Sequence, residues 1–361
     1  MAAGLSLYLF SAALPLYLYR DRGYSLGSVG VLVGLASVVQ VVATLAVGPF
    51  VDRRGARLAI RLGSGCYVLA AVLFLTSVWL PAIALARVLQ GVGVALVIPA
   101  VFSIVPMLVS KGFQGAALGA VGAFNNVSLA AGPPLGLLLL GLSPTILFLT
   151  ALTAAGLAIT VSLFLNVGRA TSTPGQLLKY RGAWTPLYLI TFLCVVYWGV
   201  VTAFLPIEVP RSQIPNVGWF FVADAVAVLV ARIPAGFLAD RFGSRWLLVI
   251  GALVTGLGIA LLLAPASFTS LLLAGTTTGV SAALVLPPIL LELTKRSDET
   301  DRGTAMALQN TSFAAAVGVG SLGAAGLVQH LGFNATLVMS LASCLAAIPI
   351  ALGFLRPVEN R

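Results

Sequence analysis

Twelve long apolar segments, separated by short polar stretches, limit the fold of this chain more than any other feature of its sequence. Each is long enough to cross a bilayer, because about 20 apolar residues in a helix span the hydrocarbon core. The segments are too long for barrel strands, and backbone in contact with lipid must form its hydrogen bonds internally, which predicts helices. They cover residues 2–19, 29–50, 58–79, 82–106, 115–140, 144–166, 185–207, 217–239, 246–264, 268–291, 304–328 and 333–355.

The composition excludes a water-soluble globule. Only 8% of the residues are charged, whereas soluble domains have about 25%. We therefore expect an all-α membrane protein with twelve transmembrane helices, and not an enzyme. No His and Cys residues have metal-ligand spacing, so we expect no metal and no other cofactor.

Membrane topology explains the net charge of +10 better than nucleic-acid binding does. Suppose that the loop between the second and third segments faces the cytoplasm. Fifteen of the 20 Lys and Arg residues then lie on the cytoplasmic side, three lie opposite, and Arg87 and Arg232 lie within the membrane. Cytoplasmic loops are enriched in these residues. We expect both termini in the cytoplasm, a location in the cell membrane, and a monomer whose partners are lipid and a small-molecule substrate.

The two halves of the sequence repeat each other. The stretch GPFVDRRGAR at 48–57 recurs as GFLADRFGSR at 236–245, and the same register pairs Gly91 with Gly279 and Gly132 with Gly320. The repeat predicts two pseudo-symmetric six-helix bundles at 1–166 and 185–361, joined by a polar cytoplasmic linker at 167–184. Parallel repeats of this kind enclose a central pathway.

Three motifs make the chain resemble the major facilitator superfamily of secondary transporters over nearly its whole length. The first is the duplicated loop motif, with the residues Gly48, Asp52, Arg53, Gly55 and Arg57 and then Gly236, Asp240, Arg241, Gly243 and Arg245. In the family, its carboxylate meets the start of a helix in the other half when the cytoplasmic side is closed. The resemblance therefore implies gates at Asp52 and Asp240. The alternative is a basic loop that only sets topology.

The second motif is R-x-x-Q-G-x-G in the fourth helix, at Arg87, Gln90, Gly91 and Gly93. A cation inside a spanning helix costs at least about 2.5 kcal/mol, so it is expected to face the bundle interior and to have a partner. In proton-coupled members of the family this arginine is associated with proton transfer. The alternative is a structural arginine that bonds to helix carbonyls or reaches the outer interface.

The third motif is similar to the family's antiporter signature in the fifth helix, and its members are Gly119, Ser128, Gly132, Pro133 and Gly136. Ser128 and Leu137 stand where the signature has glycine. Small residues let helices approach closely, and proline bends a helix. In the family this bend is linked to export. The alternative is a helix that is merely closely packed.

Asp224 and Arg232 are two further charges inside a spanning segment, the eighth. Burial favours the neutral, protonated form of a carboxylic acid, so Asp224 is the expected proton carrier. The alternatives are an ion pair with Arg232 or a site near the outer interface. Arg232 lies one turn before Gly236 and has the alternative role of supporting the second gate.

Polar and amphipathic residues in the helices that line the pathway of family members are the expected cavity wall. They are Gln40, Gln90, Asn125, Asn126, Tyr197, Trp198, Gln309 and Asn310. Some of them are instead expected to bond between helices. The resulting hypothesis is a transporter that works by alternating access and exports a small organic molecule in exchange for protons. The alternatives are a symporter or uniporter for a metabolite, and a membrane sensor or lipid-handling protein that does not transport.

Overall fold

The computed structural model describes residues 1–110, 113–164, 180–211, 217–265, 267–298 and 301–354. Within these ranges the chain forms twelve membrane-length helices and no strand. They are α1 (Ala2–Asp21), α2 (Leu26–Arg54), α3 (Ala56–Thr76), α4 (Leu80–Leu108), α5 (Gln114–Leu142), α6 (Pro144–Phe164), α7 (Thr185–Arg211), α8 (218–242), α9 (Gly243–Leu263), α10 (Phe268–Lys295), α11 (Arg302–Leu331) and α12 (Phe333–Phe354). The prediction of an all-α membrane fold is confirmed.

Over their described residues, eleven of these helices are long and apolar enough to cross a membrane. The remaining helix, α8, carries two charged residues, Asp224 and Arg232, inside its apolar segment. Charges inside a spanning helix are rare and mark functional positions. The structure thus directs attention to α8.

Each gate motif contains a glycine in a backbone conformation that other residues avoid. Gly55, between α2 and α3, has φ 88° and ψ 146°, and Gly243, between α8 and α9, has φ 76° and ψ 155°. These two positions are equivalent in the sequence repeat. Positive φ with extended ψ is nearly restricted to glycine. The repeated glycines therefore let each pair of helices join without a loop.

We expect Gly243→Ala to lower the stability of the protein by about 1–3 kcal/mol, the usual cost of a strained backbone conformation. An added Cβ at Gly243 meets no atom within 4 Å, so the cost arises from the backbone alone. The matched control is Gly326→Ala in α11, where the Cβ also meets open space but φ is helical. Thermal unfolding in detergent measures the difference, and equal unfolding temperatures for the two variants would contradict the expectation.

The chain divides into two compact units, Met1–Leu178 and Lys179–Arg361. Residues 167–179 of the predicted linker lie outside the described residues, and Gly182–Trp184 form a 3₁₀ turn that leads into α7. In the first unit Val47, Ala59 and Ala95 belong to one buried cluster of α2, α3 and α4. Their equivalents in the repeat belong to a buried cluster of α8, α9 and α10 in the second unit. They are Ala235, Leu247 and Ala283.

Close helix contacts follow the same repeat. An added Cβ on Gly63 would lie 2.7 Å from Cγ2 of Val97, and one on Gly251 would lie 2.6 Å from Cγ2 of Val285. The repeat register pairs Gly63 with Gly251 and Val97 with Val285. The two units are therefore built alike in their packing as well as in their sequence.

Candidate functional site

The guanidinium of Arg87 is buried between α4 and α2, with 7% of the residue exposed. Its Nε donates to the carbonyl oxygen of Leu32 at 2.9 Å, and Nη2 donates to that of Val33 at 2.6 Å. Its Nη1 donates to Oε1 of Gln90 at 2.7 Å. A carbonyl oxygen has two lone pairs, so both carbonyls of α2 can accept a hydrogen bond from Arg87 and keep their backbone hydrogen bonds within the helix. Arginine stays protonated in proteins, and here its charge is held by neutral acceptors.

Asp224 is buried at the crossing of α8 and α10, with 5% of the residue exposed. The hydroxyl of Thr278 on α10 donates to Oδ1 of Asp224 at 2.8 Å. On α7, Tyr197 is also buried, and the next residue, Trp198, packs against Phe221 of α8. Among the described side chains, the hydroxyl of Thr278 is the hydrogen-bond donor to this carboxylate.

Asp224 differs from four other described acids in forming no ion pair. Pairs with Arg or Lys are formed by Asp21, Glu292, Asp298 and Asp301. Among the described side chains no ion pair joins Asp224 to any cation, so the predicted alternative of a pair with Arg232 is not formed. An unpaired buried carboxylate is costly while it is ionised. This acid can lower that cost by taking up a proton.

Arg87 and Asp224 occupy equivalent helix crossings in the two repeats. The repeat register pairs Leu32 with Phe220, Gln90 with Thr278 and Arg87 with Gly275. In the first unit Arg87 bonds to the carbonyl of Leu32, whereas in the second Gly275 packs against the carbonyl of Phe220. Asp224 stands where the first unit has Ala36. The same crossing therefore holds a fixed positive charge in one unit and an acid in the other.

The side chains of several gate residues lie outside the described part of the chain, namely Gly48, Asp52, Arg53, Gly236 and Asp240. The contacts predicted for the gate residues Asp52 and Asp240 therefore stay predictions. Of the other members, Arg241 is exposed. The guanidinium of Arg245 lies 5.8 Å from the ring centroid of Trp246. Near the first motif, Arg61 of α3 donates to the carbonyls of Ser162 and Leu163 at the end of α6.

The helix-bend motif of α5 forms the contact with α1. An added Cβ on Gly132 would overlap the backbone of Tyr8, and one on Gly136 would overlap the carbonyl oxygen of Leu9. The hydroxyl of Ser128 donates to the carbonyl of Phe124 at 3.0 Å and lies 3.2 Å from that of Met1. Pro133 lies within α5, and Gly119 lies outside the described side chains. The motif is thus a close-packing surface, as its small residues predict.

The predicted cavity residues fall into two groups. Gln90, Tyr197 and Gln309 are buried within their own units. Nε2 of Gln309 donates to the hydroxyl of Thr191 at 2.6 Å, while its Oε1 is buried without a partner. The second group is half-buried and consists of Gln40, Asn125, Asn126, Trp198 and Asn310. Trp198 packs edge-on against Phe221, with ring centroids 6.1 Å apart.

Among the described residues, Thr278 is the side-chain partner of these charges that was not among the candidates from the sequence. Threonine inside an apolar segment gives no signal of its own, because its hydroxyl usually bonds to the preceding turn. The repeat register contained a signal, since Thr278 is equivalent to Gln90 of the arginine motif. Comparing the polar residues of the two halves position by position would have found it.

The chain matches the model of the Major Facilitator Superfamily over residues 1–213 and again over 187–361. It is 23% identical over 354 residues to an uncharacterized MFS-type transporter of Salmonella typhimurium, STM4428, covering 95% of this chain and 91% of that protein. It is 24% identical over 285 residues to multidrug resistance protein 1 of Bacillus subtilis, covering 74% and 72% of the two chains. The inward-open xylose transporter XylE of E. coli has a similar fold, with a TM-score of 0.76 and 16% identity over 100% of this chain and 96% of that chain.

Proposed function

The chain belongs to the major facilitator superfamily, and on this basis we propose that it exports a small organic molecule across the cell membrane in exchange for protons. The observation that carries the proposal is Asp224, a buried carboxylate with a hydroxyl donor and no ion-pair partner among the described side chains. The similarity to a multidrug resistance protein of Bacillus subtilis supports an organic molecule as cargo.

In this proposal Asp224 takes up a proton when it is accessible from outside and releases it when substrate enters from the cytoplasm. Proton and substrate compete, because the ionised acid is stabilised by a polar or cationic cargo and the neutral acid is stabilised by burial. Arg87 keeps its charge throughout and sets the electrostatic cost of each state. The gates at Asp52 and Asp240 form and break as the two units alternate, with both termini in the cytoplasm.

Transport by the reconstituted protein tests the proposal. A panel of small organic molecules is ranked by thermal stabilisation of the purified protein, and the strongest stabiliser is added outside proteoliposomes that have an acidic lumen. We expect it to accumulate in the lumen while the lumen becomes alkaline, because each molecule taken in is exchanged for protons. A gradient of about two pH units supplies ~2.7 kcal/mol per proton, enough for about 100-fold accumulation.

The other functions predict other results in the same vesicles. A symporter requires the opposite gradient, with acid outside. A uniporter lets the compound equilibrate without changing the pH of the lumen. A sensor binds the compound and shows no flux. Any of these three results would contradict proton-coupled export.

A further inference from the structure

Thr278 has two hydrogen-bond acceptors for one hydroxyl hydrogen. Its Oγ1 lies 2.8 Å from Oδ1 of Asp224 on α8 and 3.0 Å from the carbonyl oxygen of Gly275, one turn earlier on α10. A hydroxyl can donate one hydrogen and accept others. Which acceptor receives the hydrogen therefore depends on whether Asp224 itself has one to donate.

We infer that Thr278 is the positioning residue for the proton on Asp224. While the acid is ionised, the hydroxyl donates to Oδ1. When a proton arrives, the acid donates to Oγ1, and the hydroxyl hydrogen turns to the carbonyl of Gly275. No covalent bond other than that to the arriving proton changes, and one hydrogen bond between α8 and α10 is present in both states. This inference rests on the proposed coupling role of Asp224.

Among the described groups around Asp224, the hydroxyl of Thr278 is the one whose hydrogen bond acts on the charge of the acid. Thr278 is fully buried, so water does not replace its bond. On α10 the charged residues Glu292 and Lys295 lie about 21 Å or more further along the helix. On α7 the titratable Tyr197 precedes Trp198, which packs against Phe221 of α8, and Glu208 lies about three turns beyond Tyr197. On α8 itself Arg232 lies about two turns from Asp224 and forms no ion pair with it.

The helix crossing holds the two heavy atoms in place. Gly279, next to Thr278, packs so closely that an added Cβ would overlap the carbonyl oxygen of Asp224 and lie 2.8 Å from Cβ of Ala227. Gly275, one turn earlier, is in similar contact with the backbone of Phe220. Backbone contact at both glycines fixes the separation of α8 and α10 at the level of the acid. The hydroxyl therefore responds to the proton by rotating rather than by moving away.

Infrared spectroscopy of the purified protein tests the inference without a ligand. The carboxylic acid band of Asp224 is identified by its loss in Asp224→Asn, and its intensity is followed against pH. In Thr278→Val, which keeps the side-chain volume, both states of the acid lose their hydrogen bond, but the ionised acid loses the stronger, charge-assisted one and is disfavoured. We expect the midpoint of the titration to move to higher pH by about one unit or more. Thr278→Ser restores the donor and is expected to return the midpoint to the wild-type value.

Thr255→Val is the matched control, because Thr255 is an equally buried threonine of the second unit that bonds to Gly251 and Ser281 instead. Its midpoint is expected to match the wild type. An unchanged midpoint in Thr278→Val would overturn the inference, as would a shifted midpoint in Thr278→Ser. If Thr278→Val does not fold, the frequency of the Asp224 carboxylic acid band tests the inference instead. Thr278→Ser must preserve the frequency of the hydrogen-bonded acid, and Thr278→Ala must raise it.

Failure of the inference and failure of the proposed function give different results. If the infrared midpoint shifts as expected while the pH dependence of transport does not, Thr278 positions the proton but Asp224 does not couple transport. If the midpoint stays and Asp224→Asn still uncouples transport, the function stands and the role of Thr278 is wrong.

Discussion

Asp224→Asn is expected to abolish uphill transport while leaving exchange intact. Asparagine has the size of the protonated acid, and its amide oxygen can still accept the bond from Thr278, so α8 and α10 are expected to pack as before. It cannot release a proton. Accumulation driven by a gradient of about two pH units should therefore fall from about 100-fold to equilibrium. Counterflow, in which labelled compound exchanges for unlabelled compound, involves no net proton movement and should continue, although at higher concentrations of compound, because the neutral amide lacks the charge that stabilises a polar or cationic cargo.

The two measurements are made in the same proteoliposomes, with Glu208→Gln as the control. Glu208 is an acid near the C-terminal end of α7, and it is half-buried. Removing its charge is expected to leave accumulation unchanged. Uphill accumulation by Asp224→Asn at the wild-type level would show that another group carries the proton. Loss of both accumulation and counterflow would show that Asp224 is needed for binding or folding, which contradicts a role confined to coupling.

Gly279→Ala is expected to cause the largest loss of stability among single-residue changes at the site. The added methyl group would overlap the carbonyl oxygen of Asp224, which is backbone and cannot rotate away. Extra atoms in a packed core cost about 1–3 kcal/mol, and a clash with backbone belongs at the upper end of that range or above it. We expect a cost of about 3 kcal/mol, seen as a much lower unfolding temperature and a poor yield of monodisperse protein.

Gly91→Ala provides an internal comparison, because Gly91 packs against the carbonyl of Ala36 at the equivalent crossing of the first unit. A loss of similar size is expected there. The control is again Gly326→Ala, where the methyl group meets no atom within 4 Å. If Gly279→Ala unfolds at the same temperature as this control, the close contact between α8 and α10 does not exist in the folded protein.

The helices were predictable from the sequence because lipid imposes a length and an apolar composition on every span. The predicted segments coincide with the observed helices except at their ends. The second segment was expected at 29–50 and the helix is Leu26–Arg54, and the seventh was expected at 185–207 and the helix is Thr185–Arg211. In both cases the helix continues into polar residues beyond the apolar segment, so the end of the apolar segment does not mark the end of the helix. The π-helical turn at Tyr17–Asp21 had no sequence signal.

The partners of the charged residues were less predictable than their positions. A cation and an acid in apolar segments identified Arg87 and Asp224 directly. The carbonyls of Leu32 and Val33 and the hydroxyl of Thr278 were not identified, because helices that are apolar on all sides give no indication of which face meets a neighbour. Rotation of a membrane helix is set by close glycine contacts such as those described for α4 and α10. These contacts become informative only when the two repeats are aligned.

Proton release on binding tests the account most directly. The strongest stabiliser from the ligand panel is added to purified protein in weakly buffered detergent solution, and the pH is recorded. We expect binding to release protons from the wild-type protein at a pH where Asp224 is protonated, and we expect Asp224→Asn to bind the same compound without releasing any. Binding without proton release by the wild type, or equal release by both proteins, would contradict the account.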